Sequence, residues 1–101
     1  MTKLANIAKV VRSKNAGALL LTLDIMFEAE PQYRRVINSG AINAVDIARR
    51  YSVDPDDVDI IEYPVALAIK ITLPRLMPSG SPGDGDVYGA QQHAPLLDLE
   101  V

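Results

Sequence analysis

The sequence predicts a small single-domain α+β fold, with two to four strands, helices packed on the sheet and a glycine-rich carboxy-terminal loop. Three observations lead there. Apolar residues alternate at period two over residues 18–27 and again over 58–74, as in strands with a buried face. Three other stretches carry apolar residues at helical spacing, with helix-type start and stop residues. Residues 79–95 hold four glycines with a tyrosine, two glutamines and the single histidine of the chain. That glycine and proline content excludes a long helix or a central strand there.

Each element follows in order. Residues 2–14 fit a helix, with Leu4, Ile7, Ala8 and Val11 on one face. Lys9, Arg12 and Lys14 then lie toward its end, and Asn15 and Gly17 supply the stop. Residues 18–27 read as a strand, with Leu19, Leu21, Leu23, Ile25 and Phe27 at alternate positions. Its other face is mostly apolar too, so both sides are expected to be covered. Asp24 on that face reads as a hydrogen-bonded structural acid, because buried charges are usually paired. Residues 31–39 fit a short helix from Pro31 to a stop at Gly40, with Tyr33, Val36 and Ile37 inward. A further helix runs from Asn43, its cap, to Tyr51, with Ala44, Ile47, Ala48 and Tyr51 inward. Pro55 with Asp56 and Asp57 suits one more turn.

The longest alternation comes next. Ile61, Tyr63, Val65, Leu67, Ile69, Ile71 and Leu73 predict one strand with a single buried face, bent or restarted at Pro64. Residues 96–101 suit a short edge strand. On this reading residues 1–78 form the α+β core, and 79–101 add the loop and terminal strand to the same domain.

At 101 residues the chain makes one domain, and 49% hydrophobic residues supply a core. With four Tyr, one Phe and no Trp, that core is aliphatic. The absence of cysteine excludes disulfides, zinc thiolates and thiol nucleophiles, and fits a cytoplasmic setting. No apolar run reaches membrane-spanning length, so no membrane partner is expected. Residues 1–50 carry eight Lys and Arg against four acids, and residues 51–101 carry two against nine. A basic half attracts carboxylate or phosphate, although a merely solvated surface gives the same count.

Residues 41–58 have the outline of a helix-turn-helix, but the would-be recognition segment holds Asp54, Asp56, Asp57 and Asp59. These would repel phosphates, so no nucleic-acid partner is expected. The glycine-rich stretch lacks the Gly-Lys-Ser/Thr of a phosphate loop. Asp84 and Asp86 are too few for a calcium loop, and an Asp-Gly turn accounts for them, so no metal site is expected. His93 is the first candidate for proton transfer, with Tyr88, Gln91 and Gln92 near it in sequence; the plain alternative is an exposed histidine. Lys70 lies between Ala68 and Thr72, small neighbours that admit a ligand or another backbone; the plain alternative is a solvated strand lysine. Arg12, Lys14 and Asn15 gather cations and polar groups in one segment.

Three segments carry a resemblance: residues 12–27, from Arg12-Ser-Lys-Asn-Ala-Gly17 to Leu21-Thr-Leu-Asp-Ile-Met-Phe27; residues 66–75; and residues 79–97. Together they resemble the small uncharacterised domain that accompanies acyclic-terpene-utilisation (AtuA-type) proteins, as a separate chain or fused behind the larger one. The resemblance implies a small subunit of a two-component catabolic enzyme, with a larger AtuA-type chain as partner. It implies lyase or hydratase chemistry on a carboxylic acid or acyl-thioester, names no cofactor, and leaves a homo-oligomer open. On that expectation His93 and Tyr88 are catalytic. Arg12, Lys14, Asn15, Lys70, Ser79, Ser81, Asp84, Asp86, Gln91 and Gln92 bind substrate. The alternative is a non-catalytic assembly module for the large chain.

Overall fold

The computed structural model describes residues 2–16, 19–74, 96 and 99–101. Among them, the chain forms α1 (Leu4–Ile7), β1 (Val10–Asn15), β2 (Leu20–Met26), α2 (Glu30–Ser39) and α3 (Ala44–Tyr51). A 3₁₀ turn (Pro55–Asp57), β3 (Asp59–Tyr63) and β4 (Ala68–Pro74) follow. The strands make one antiparallel sheet in the order β1-β2-β4-β3. This is the predicted α+β class.

The helix predicted over residues 2–14 is instead one turn followed by a strand. Ala8 N–H donates to Leu4 C=O and closes that turn, and Ala8 itself is extended. Lys9 N–H then donates to Met26 C=O at 2.8 Å, and the β1–β2 ladder starts there. The helical spacing of Leu4, Ile7, Ala8 and Val11 is real. However, Val10 and Val11 are β-branched, and from there Val11, Ser13 and Asn15 alternate with Val10, Arg12 and Lys14. A strand satisfies both facts once β2 offers its edge.

The helices follow their caps. Ala29 precedes α2 with Pro31 in its first turn, and Gly40 ends it at φ 68°. In α3 the Asn43 side chain accepts from Asp46 N–H at 2.9 Å. The Asp46 carboxylate binds Arg50 and Arg49, and the Arg50 hydrogen bond is the main reason its carboxyl sits below the usual range. Ser52 ends α3 with φ 57°, in the left-handed region.

The long strand expected over 58–74 is a hairpin. Ala66 N–H donates to Tyr63 C=O and Leu67 N–H to Pro64 C=O, so residues 64–67 form the turn. Leu67 takes φ 51°, and its carbonyl accepts from Phe27 N–H at 2.9 Å. A four-residue turn reverses parity: Tyr63 pairs with Ala68 and Ile61 with Lys70. Ile69, Ile71 and Leu73 are therefore buried, while Ile61 and Tyr63 lie on the other face and Val65 is exposed in the turn. The expected common face of all seven residues does not form.

One apolar cluster holds the fold together. Leu21, Leu23 and Ile25 of β2 and Ile69, Ile71 and Leu73 of β4 meet Leu4, Tyr33, Val36 and Ile47 from the helices. Leu96 and Leu99 join the same cluster. Leu4 N–H donates to Leu99 C=O at 2.7 Å and Val101 N–H to Thr2 C=O at 2.8 Å. Of the edge strand expected at 96–101, the described residues show a single bridge, Lys3 to Glu100, and residues 97–98 lie outside the described residues. Phe27 and Tyr33 meet edge to face at 5.9 Å. The Tyr33 hydroxyl is buried with no hydrogen-bond partner among the described residues, and burial is the first cause of its raised pKa, with the Glu62 charge adding to it.

Candidate functional site

The three described helices contribute Leu4, Tyr33, Val36 and Ile47 to one side of the sheet, against Leu23, Ile25 and Ile71. Its other face is built from alternate residues of each strand and carries no described helix. Strand register arranges that face in rows. Arg12, Asp24, Lys70 and Ile61 form one row across β1, β2, β4 and β3. Lys14, Thr22, Thr72 and Asp59 form the next, and Val10, Met26, Ala68 and Tyr63 flank the first on its other side.

The first row sets the electrostatics of the face. Arg12 Nε lies 3.4 Å from Asp24 Oδ2. The Arg12 side chain is 59% exposed and that of Asp24 17%, so the pair is worth at most about 1 kcal/mol. Asp24 is the structural acid that its apolar surroundings predict. Lys70 stands directly across from it, half-buried between β2 and β3. In the next row the Thr22 hydroxyl donates to Lys14 C=O at 3.3 Å, and Thr22 is buried. The face thus presents Arg12, Lys14 and Lys70 against Asp24 and Asp59, beside an apolar row. Such a surface suits a carboxylate-bearing ligand or protein surface.

Of the substrate-binding residues expected from the sequence, Arg12, Lys14 and Lys70 share this face. The two cations of β1 do not sit at a helix end, because that segment is a strand, and no helix dipole acts on them. Asn15 is in register with Leu21 on the helix-covered side and does not join them. Tyr88, His93, Ser79, Ser81, Asp84, Asp86, Gln91 and Gln92 lie outside the described residues. Ile61 and Tyr63, 38% and 44% exposed, lie outside the core in which the alternation alone places them. The signal that places them outward is Pro64, which marks a turn and hence a change of parity.

No described helix is long and apolar enough to cross a membrane. Residues 4–100 match the family model described as a domain of unknown function (DUF4387), and the chain belongs to that family. No curated protein and no solved structure matches the chain.

Proposed function

We propose that this DUF4387 protein is the small subunit of a two-component catabolic enzyme and docks on a larger AtuA-type chain through the sheet face that carries no described helix. The observation that carries the reading is the row Arg12–Asp24–Lys70–Ile61, where cations and an exposed apolar residue line one face of a sheet. The exposed part of such a face, at Ile61 and Tyr63, gains by being buried against a partner. The choice of partner rests on the resemblance of residues 12–27, 66–75 and 79–97 to the AtuA-associated domain. The complex would carry out lyase or hydratase chemistry on a carboxylic acid or acyl-thioester, with His93 and Tyr88 supplied by this chain.

A second reading has an observation of its own. Arg12 pairs with Asp24 within the chain, which directs that cation to holding strands together rather than to a substrate. This favours a non-catalytic assembly module. Coexpression with an AtuA-type chain, followed by His93→Ala, separates the two. A catalytic subunit loses turnover while the complex stays intact. An assembly module keeps turnover. Failure of the two chains to copurify would reject both readings.

A further inference from the structure

The sheet ends on β3, and the two edges of the sheet differ. On the outward face of β1, Arg12 and Lys14 supply cations of the kind that discourage strand addition. β3 has no Lys, Arg, Pro or Gly within it, and its register with β4 runs from Asp59 to Tyr63 without a bulge. Its only strand neighbour among the described residues is β4. Ile61 sits at its middle, and both Ile61 and Tyr63 are exposed.

We infer that β3 pairs antiparallel with β3 of a second copy of this chain, about a two-fold axis at Ile61. This goes beyond the partner reading above and does not depend on it. An antiparallel self-pair keeps like faces together, since opposite residues share a face. Centred on Ile61, it sets Ile61 against Ile61, Asp59 against Tyr63 and Ile60 against Glu62. All five residues of the strand are used. Neither acid meets an acid directly, and the Tyr63 hydroxyl, a donor, faces the Asp59 carboxylate, an acceptor. Shifting the register by one like-faced step toward the turn would set Glu62 against Glu62. Charge and overlap thus select one register.

The consequence is an eight-stranded sheet, counted over the described residues, with the described helices on one side. The row Arg12–Asp24–Lys70–Ile61 runs unbroken into its copy across the axis. Two exposed isoleucines become buried between two Lys70 side chains. A five-residue edge is a small contact, so the dimer is weak and reversible.

Sedimentation equilibrium of the full chain, from micromolar to millimolar concentration, tests this. Wild type is expected to shift from monomer to dimer over that range. Ile61→Glu puts a carboxylate beside Lys70 within the chain, which suits the fold, and sets two carboxylates against each other across the axis. It should weaken dimerisation by about tenfold or more with an unchanged circular dichroism spectrum. Because the chain has no cysteine, Ile61→Cys gives a unique thiol. A short bismaleimide should join it into a covalent dimer, and should not join Val45→Cys, whose side chain is exposed on α3. A wild type that stays monomeric, an Ile61→Glu variant that dimerises as tightly, or equal crosslinking at both positions would overturn the inference.

Discussion

Leu99→Ala asks how far the last residues of the chain support the fold. Leu99 is 1% exposed and packs in the cluster that contains Leu4, Leu21 and Ile71. Its N–H donates to Leu96 C=O and its C=O accepts from Leu4 N–H. Alanine keeps both backbone bonds, so the variant isolates the side chain. Truncation past Cβ withdraws three carbons, at about 0.8 kcal/mol each, or about 2.4 kcal/mol. A cavity adds to this, but α1 is a single turn near the chain start and can settle inward. We expect a net loss of about 2–3 kcal/mol. For a domain of this size each kcal/mol moves Tm by about 4–8 °C, so Tm should fall by roughly 10–20 °C. Calorimetry and urea titration measure it, with the urea slope unchanged. A fall below about 3 °C would show that Leu99 does not belong to the cooperative core.

Three further outcomes follow from single residues. Tyr33→Phe removes a buried hydroxyl with no partner among the described residues, so stability should stay level or rise by about 1 kcal/mol; a loss of that size by chemical denaturation would mean that the hydroxyl is satisfied. Ser52→Gly relieves a left-handed residue at an exposed helix end and should add about 1 kcal/mol, read as a Tm rise of roughly 4–8 °C; a lower Tm would argue against that backbone angle. Asp46 has a lowered pKa in the fold, chiefly through its bond from Arg50. Its contribution is therefore present above the unfolded carboxylate pKa and lost as pH falls through the folded one. Asp46→Asn should flatten the acid limb of the stability–pH curve, and an unchanged limb would remove Asp46 as its source.

The sequence was legible where one local signal acted alone. Asn43 and Gly40 mark helix ends through their own chemistry, and β2 alternates without a competing period. Residues 2–14 failed because Leu4, Ile7, Ala8 and Val11 satisfy a helix, and the pairing that turns Val10–Asn15 into a strand belongs to β2. Residues 58–74 failed differently. The alternation is continuous in sequence, but a four-residue turn at Pro64 sends Ile61 and Ile69 to opposite faces. The charged row was illegible for the same reason. Arg12, Asp24 and Lys70 are distant in sequence, and register, a tertiary property, brings them into line.

The most direct test of the proposed function measures affinity for an AtuA-type chain by isothermal titration, for wild type and for Lys70→Glu. Lys70 lies between Asp24 and Ile61 on the face that carries no described helix, and it has no ion pair among the described residues. Reversing its charge beside Asp24 should leave the core cluster intact and weaken association by tenfold or more, about 1.4 kcal/mol. Equal affinity of the two proteins, with both folded, would contradict docking through this face.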